Sequence, residues 1–173
     1  LALGMHIYHN KHKEFPSAAS VDANGKPMLS WRVHLLPHLD QTALYKQFHL
    51  DEPWDSEHNK TLIGQMPPVF ACPSAAFAAE GQTTYLVPTG PTAVFKQAKG
   101  TRIPDITDGM SNTIMIVDAS AEHAVTWTKP EDLEINPKQP AKGLGNQHDK
   151  AFSAAYCDGS VRWIPSDIAK ETL

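Results

Sequence analysis

The stretch "AFSAAYCDGSVRWI" (residues 151–164) contains two short runs of strand-forming residues on either side of Asp158-Gly159. An Asp-Gly pair between two such runs is a strong short-range signal for a β-hairpin. Upstream, "TIMIVDA" (residues 113–119) is the strongest buried strand in the sequence, because β-branched and aliphatic residues follow one another there. "VDANGKPML" (residues 21–29) contains Asn-Gly between apolar neighbours and indicates a small hairpin or loop.

Helical patterns precede these strands. "LALGMHIYHNKHKEF" (residues 1–15) predicts a helix that ends before Phe15-Pro16. "SWRVHLLPHLDQTALYKQF" (residues 30–48) predicts a second helix, with Ser30 as its N-cap and Pro37 opening a new segment. Helices followed by strands, without β-α-β alternation, predict an α+β fold with a mainly antiparallel sheet. A length of 173 residues suits one domain spanning 1–173.

Composition excludes several classes of protein. A hydrophobic fraction of 41% with 20% charged residues indicates a globular chain rather than a disordered one. The net charge is −4 and the basic residues are scattered singly, so the electrostatic footprint of a nucleic-acid-binding protein is absent. No apolar stretch approaches the roughly 20 residues needed to span a bilayer. The chain opens on Leu1 within a helical pattern, so we expect any targeting or anchoring segment to lie upstream.

The chain contains two cysteines, Cys72 and Cys157, and no CxxC motif. A disulfide and two buried thiols are both compatible with this count. Cys157 with His148 as base and Asp158 as orienting acid would make a cysteine hydrolase. Neighbouring strand residues point to opposite faces, however, and Asp158 occupies a turn position where its side chain bonds local backbone. We therefore assign no catalytic residues.

Histidines recur at helical spacing in two places. His6, His9 and His12 are three residues apart, so His6 and His9 could share a metal ion, but the third drifts around the helix. Hydrogen-bonded histidines are the default interpretation. His34 and His38 have the spacing of a zinc helix without the glutamate of His-Glu-x-x-His, and a proline lies between them. We expect the latter pair to be surface or packing residues.

An oxygen-rich segment precedes the buried strand. In "PDITDGMSNT" (residues 104–113), Asp105, Asp108, Ser111 and Asn112 offer the hard donors that calcium accepts. The favoured alternative is a loop in which the side chains of the last three bond the backbone. No serine-hydrolase elbow or phosphate-binding loop is found, and we expect no cofactor.

Several blocks of the sequence resemble a large paralogous family of planctomycete envelope proteins of unknown function. These blocks include "LALGMHIYHNKHKEFP", "VFACPS", "TDGMSNTIMIVDAS" and "CDGSVRWI". The family is also marked by a histidine, nine further residues and Asp-Gly, which here are His148, "DKAFSAAYC" and Asp158-Gly159. Its members begin with a prepilin-type leader and a hydrophobic helix.

The resemblance implies a pilin-like or pseudopilin-like fold, in which an N-terminal helix packs against an antiparallel sheet. It also implies a domain outside the cytoplasmic membrane, anchored by an upstream helix, where thiols can oxidise and Cys72 could pair with Cys157. In this family, His34 and His38 stand where apolar or aromatic residues are expected. No enzymatic activity is established for the family.

We therefore expect a non-enzymatic envelope protein with protein partners, acting in surface assembly, secretion or recognition. The upstream helix could make it a homo-oligomer or filament, and contact with the membrane is expected only through that helix. The motif residues are expected to be architectural: His148, Asp158, Gly159, Asp108, Gly109, Ser111 and Asn112. The first alternative is a solute- or carbohydrate-binding module with tryptophan stacking faces at Trp31, Trp54, Trp127 and Trp163. The second is the hydrolase considered above.

Overall fold

The structure is a computed structural model that describes residues 1–74, 80–90, 93–96, 98–145, 148 and 150–168. The α-helices are α1 (Ala2–His12), α2 (Trp31–Leu35) and α3 (Thr42–Tyr45). The strands are β1 (Ala19–Val21), β2 (Pro27–Ser30), β3 (Gln82–Thr83), β4 (Tyr85–Leu86), β5 (Pro88–Thr89), β6 (Ile114–Asp118), β7 (Val125–Thr126), β8 (Leu133–Glu134), β9 (Ala151–Tyr156) and β10 (Val161–Pro165). Short 3-10 helices cover Leu36–His38, Asn59–Gln65, Pro68–Phe70, Ile103–Asp105 and Ala121–His123.

A four-stranded antiparallel sheet in the order β10-β9-β6-β4 organises the chain. The predicted hairpin forms β9 and β10, with Trp163 opposite Ser153 and Val161 opposite Ala155. Gly159 has a φ of 87°, in the left-handed region that the turn requires and that glycine adopts without strain. The predicted buried strand is β6, which lies between β9 and β4. The two strongest strand predictions are therefore confirmed and are neighbours in one sheet.

Smaller sheets surround it. β1 and β2 form the antiparallel hairpin predicted at Asn-Gly, and β3 pairs antiparallel with β7. β5 and β8 pair in parallel over two residues each. The prediction of a mainly antiparallel α+β fold is confirmed.

The helical region is shorter and more broken than the pattern predicts. The first helix is confirmed and ends at His12. Its C-cap residue Lys13 donates its N–H to the carbonyl of His9 and adopts a left-handed backbone that ends the helix. Ser30 caps α2 as predicted, accepting a hydrogen bond from the N–H of Arg32. The predicted second helix is divided into α2, a 3-10 helix and α3, and Pro37 explains the break because it lacks the N–H that a helix needs.

Two core clusters form around the sheet. One buries Met5 of α1 and Trp31 of α2 together with Met115 and Ile116 of β6. The other buries Val117 of β6 with residues of β4, β9 and β10. Met5 of α1 thus belongs to the same cluster as Met115 and Ile116 of β6, and β6 contributes to both clusters. Within the part of the chain that the structure describes, no helix has the length and apolar character needed to cross a membrane.

Candidate functional site

Three chemically reactive side chains converge where the sheet meets the loops. Cys72 follows the 3-10 helix Pro68–Phe70, Asp118 is the last residue of β6, and His148 precedes β9 and bridges to Ala151. Nε2 of His148 lies 2.9 Å from Oδ2 of Asp118, and the Cys72 thiol lies 3.3 Å from the same oxygen. The sulfur is 3.6 Å from Nε2 of His148.

The sheet holds this cluster in place. Asp118 lies opposite Tyr85 in the β4–β6 register, which brings the neighbouring Thr84 hydroxyl to donate a hydrogen bond of 2.6 Å to Oδ1. Trp163 of β10 packs its ring edge-on to the His148 imidazole, with 5.0 Å between ring centroids. Asp118 is buried, whereas the His148 side chain is 24% exposed. The cluster is therefore accessible from solvent on its histidine side.

Burial controls the acid–base state of the thiol. It raises the pKa of Cys72, and the Asp118 carboxylate raises it further, because both disfavour a thiolate. The Tyr85 phenol lies beside the same sulfur, and its pKa is raised to about 12 by burial and by the neighbouring Cys72 and Asp118. In the free protein the thiol is therefore protonated at neutral pH and donates a hydrogen bond to Asp118.

The geometry does not match a nucleophile–base–acid relay. In such a relay the acid and the nucleophile contact different nitrogens of the histidine. Here Asp118 and Cys72 both face Nε2 of His148. The three potential ligand atoms lie within 4.8 Å of one another, which is an arrangement that converges on a single small ligand.

Residues 1–93 and 77–146 match the family described as a protein of unknown function, DUF1559. The chain belongs to the DUF1559 family. The match covers Cys72 and Asp118, and it ends two residues before His148. No curated protein and no solved structure matches the chain.

Of the two alternatives for Cys72 and Cys157, a disulfide and two buried thiols, this DUF1559 chain has the second. Both cysteines are free, buried thiols. Cys72 bonds Asp118 and His148, while Cys157 belongs to the core cluster that contains Met5 and has its pKa raised to about 12 by burial. The two thiols therefore lie in different environments. A count of two cysteines in the sequence could not show this.

The C-terminal motif residues are separated by the hairpin. Asp158 is exposed and accepts hydrogen bonds from the N–H and hydroxyl of Ser160, which lower its pKa. The Asp158 carboxylate is thus hydrogen-bonded within its own turn, as the sequence pattern predicts. His148 bonds Asp118 and not Asp158. The hydrolase set of Cys157, His148 and Asp158 is thus not assembled in the structure.

The oxygen-rich segment forms an exposed loop. Asn112 donates to the carbonyl of Asp108, which agrees with the predicted backbone bonding, and Gly109 has a φ of 87°. Asp105 lies outside this arrangement, because both of its carboxylate oxygens accept hydrogen bonds from Arg102. Ser111 is exposed at the tip.

The candidate histidines of α1 pack against an aromatic ring. The His6 and His9 rings lie 5.6 and 5.0 Å from the Phe15 ring, and neither Nε2 has a hydrogen-bond partner among the described residues. The default prediction of hydrogen-bonded histidines is thus wrong for these two nitrogens. His34 packs edge-on to Tyr45 and its pKa is lowered to about 4 by burial, so it is a packing residue, as expected.

The tryptophans do not form a common stacking surface. Trp31 and Trp127 are fully buried, and their indole N–H groups donate to Asp132 and to the carbonyl of Ile63. Trp54 is half-buried under Lys129, and Trp163 is exposed beside His148. The two buried rings therefore offer no stacking face for the alternative of a carbohydrate-binding module.

A second buried acid–base pair was not predicted. Arg32 of α2 is fully buried and donates from Nη2 to Oδ1 of Asp132 at 2.8 Å. The same oxygen accepts hydrogen bonds from the Trp31 indole and the Val87 N–H, both at 3.0 Å. An arginine within the apolar run "SWRVHLL" is the sequence signal that could have indicated it, because a buried cation requires an acid partner.

The sequence patterns also did not indicate that Cys72, Asp118 and His148 lie together. Asp118 ends a strand of otherwise apolar residues, and a carboxylate in that position is buried and needs donors. That signal predicts a partner without identifying it. The partners lie 46 and 30 residues away in the sequence and are brought together only by the tertiary fold.

Proposed function

We propose that this DUF1559 chain is the outward-facing domain of a pilin-like, non-enzymatic envelope protein that assembles with further copies of itself through α1. The family match is consistent with an uncharacterised envelope-type protein. The fold supports it through the N-terminal end of α1, which lies close to the antiparallel sheet. Leu1 and Ala2 line a cavity of about 220 Å³ together with Ile116, Ala155 and Val161 of the sheet.

One observation carries the proposal: α1 buries one side and leaves apolar side chains exposed on another. Gly4 and Met5 are buried, whereas Leu3 is 74% exposed and Ile7 is 42% exposed. Residues four apart lie on the same face of a helix, so Leu3 and Ile7 form one apolar stripe. No charged residue precedes Lys11 in the chain. An uncharged apolar stripe on an exposed helix suits packing against the same helix of another copy.

The sheet edge adds a second apolar surface. β10 is an edge strand, and Val161 and Trp163 on it are 65% and 62% exposed. Two exposed apolar side chains on an edge strand, on either side of Arg162, favour a protein neighbour. The protonated Cys72 thiol and the shared His148 nitrogen also support a non-enzymatic role, because neither provides an activated nucleophile.

Cysteine cross-linking of the full-length gene product in its native host tests this proposal. Leu3→Cys is expected to give linked dimers and higher species with a short bismaleimide in the envelope fraction. Lys26→Cys, an exposed position in the turn between β1 and β2, is the matched control and is expected to stay monomeric. The native thiols are buried and do not compete. Equal linking of both variants, or recovery of the protein in the cytosolic fraction, would contradict the proposal.

A second candidate function, the binding of a cationic solute, is favoured by a cavity of about 490 Å³ lined by Asp132 and Glu134. Oδ2 of Asp132 is buried and accepts no hydrogen bond from the described residues. A bound amine would supply that missing donor. In a thermal-shift screen, polyamines but not neutral sugars should raise the melting temperature in proportion to RT ln(1 + [L]/Kd). Equal shifts with both classes, or none, would count against it.

A further inference from the structure

We propose that Cys72, Asp118 and His148 form a mononuclear Zn²⁺ site, with the sulfur, one carboxylate oxygen and Nε2 of the imidazole as protein ligands. This inference goes beyond the proposed assembly function and does not depend on it. The first support is convergence, since the three ligand atoms come from three separate parts of the chain and lie within 4.8 Å of one another.

The distances between the ligand atoms match those around zinc. Zinc binds sulfur at about 2.3 Å and nitrogen or oxygen at about 2.0–2.2 Å, so a tetrahedron of such ligands has edges of roughly 3.3–3.7 Å. The observed edges are 2.9 Å between Nε2 and Oδ2, 3.3 Å between Sγ and Oδ2, and 3.6 Å between Sγ and Nε2. A few tenths of an ångström of expansion therefore opens the triangle into one face of a zinc tetrahedron.

The kind of donors selects the metal. A thiolate with an imidazole and a carboxylate is a mixed soft and borderline set, which favours Zn²⁺ over calcium or magnesium, because those ions prefer oxygen ligands. Three protein ligands leave the fourth position of a tetrahedral ion for water or another small ligand. His148 lies on the exposed side of the cluster and gives the ion its route to solvent.

Charge balance also favours a divalent ion. Zn²⁺ with one thiolate, one carboxylate and one neutral imidazole has no net charge, which suits a site where Cys72 and Asp118 are buried. Binding converts the Cys72 thiol to a zinc-bound thiolate and releases one proton to solvent. The hydrogen bond from the thiol to Asp118 is replaced by bonds from both groups to the metal.

The surroundings orient the ligands. Thr84 donates to Oδ1 of Asp118 and leaves Oδ2 directed at the other two ligands. The ring of Trp163 restricts the His148 imidazole, and the Tyr85 phenol lies beside the Cys72 sulfur. Supporting contacts of this kind fix ligand geometry in metal sites and commonly change affinity 10- to 100-fold when removed.

Cobalt titration of the purified chain tests the proposal, because Co²⁺ reports both thiolate ligation and tetrahedral geometry. We expect one Co²⁺ per chain, a sulfur-to-cobalt charge-transfer band in the near ultraviolet, and loss of that band on addition of Zn²⁺. Because at least one proton is released, the apparent affinity should rise at least tenfold per pH unit between pH 6 and 8. Absence of a stoichiometric charge-transfer band would overturn the proposal.

Variants separate this site from other thiols and histidines. Cys72→Ser should abolish the charge-transfer band, and His148→Gln should weaken binding at least tenfold while the circular dichroism stays native. Cys157→Ser is the matched control, a second buried thiol outside the cluster, and should retain the band. A band that persists in Cys72→Ser, or disappears equally in Cys157→Ser, would also overturn the assignment. All of these measurements use isolated protein, so their outcome is independent of any assembly through α1.

Discussion

The chain contains two buried acid–base groups that differ in how the carboxylate is used. In Asp132 a single oxygen, Oδ1, accepts three hydrogen bonds, from Arg32, Trp31 and the Val87 backbone. Asp118 uses both oxygens, one for Thr84 and the other for Cys72 and His148. The first arrangement involves a permanent cation, whereas the second involves groups that exchange protons.

Exposure separates the two groups further. The Arg32 and Asp132 side chains are 0% and 3% exposed, whereas His148 of the other cluster is 24% exposed. Burial lowers the pKa of Arg32 and raises that of Asp132, since it disfavours both charges, and their mutual attraction opposes it. We infer that the Arg32–Asp132 pair joins α2 to the segment before β8, and that the Asp118 cluster is built to accept a ligand.

The largest expected effect comes from breaking the fully buried pair. Arg32→Met removes the cation but keeps most of the side-chain volume, leaving Asp132 buried with no charged partner. Removing one member of a buried pair typically costs about 3–5 kcal/mol. We expect a loss of that size in the free energy of unfolding, measured by urea denaturation at pH 7.

Arg102→Met is the matched control. Arg102 forms the same kind of ion pair with Asp105, but the two side chains are 65% and 46% exposed. Exposed pairs contribute about 0–1 kcal/mol, so the control should remain near native stability. The double variant Arg32→Met/Asp132→Leu should recover much of the loss, because no buried charge remains. Equal stabilities of the two single variants would refute a structural role for the buried pair.

His34 is a buried imidazole without an acidic partner, in contrast to His148, which bonds Asp118. His34 packs against Tyr45, its Nε2 has no partner among the described residues, and burial lowers its pKa to about 4. In the unfolded chain the imidazole titrates near 6.5, so the unfolded state takes up a proton at a higher pH than the native state. The stability contributed by neutral His34 is therefore complete above pH 6.5 and is lost as the pH falls towards 4. The loss amounts to about 3 kcal/mol.

This prediction is measured as a difference between variants. Urea unfolding at pH 7.5 and at pH 4.5 should show that native protein loses about 2–3 kcal/mol more than His34→Leu over the same interval. His12→Leu, at an exposed position of α1, is the control and should follow the native pH dependence. If His34→Leu also follows it, His34 does not titrate in a buried site.

Local patterns predicted the strands well because their signals are short-range. Asp158-Gly159 specifies its hairpin through turn geometry, and the apolar run of β6 specifies burial. The helix over residues 30–48 was predicted too long because the spacing of apolar residues continues through Pro37, while the missing N–H stops the helix.

The candidate site could not be predicted in the same way. Cys72 comes from a loop after a 3-10 helix, Asp118 from the end of β6 and His148 from the segment before β9, so only contacts between distant parts of the sequence join them. The nearby Cys157 and Asp158 gave a more obvious set around His148, and strand alternation correctly argued against it. A buried carboxylate at the end of a strand indicates that donors are required, but the register decides which ones.

The smallest expected effect comes from removing the hydrogen bond that Thr84 donates to Oδ1 of Asp118. Thr84→Val keeps the side-chain shape but removes the donor to Oδ1, leaving that oxygen buried without the 2.6 Å hydrogen bond. An unsatisfied buried acceptor typically costs about 1–3 kcal/mol, and we expect the lower part of that range because Oδ2 keeps two partners. Thr61→Val is the matched control, since the Thr61 hydroxyl donates to the His58 carbonyl at an exposed site, and its loss should be below about 0.5 kcal/mol. The free energies of unfolding of both variants, measured by urea denaturation, test this prediction. If Thr84→Val is no less stable than Thr61→Val, Oδ1 does not need Thr84, and Asp118 is held by Cys72 and His148 alone.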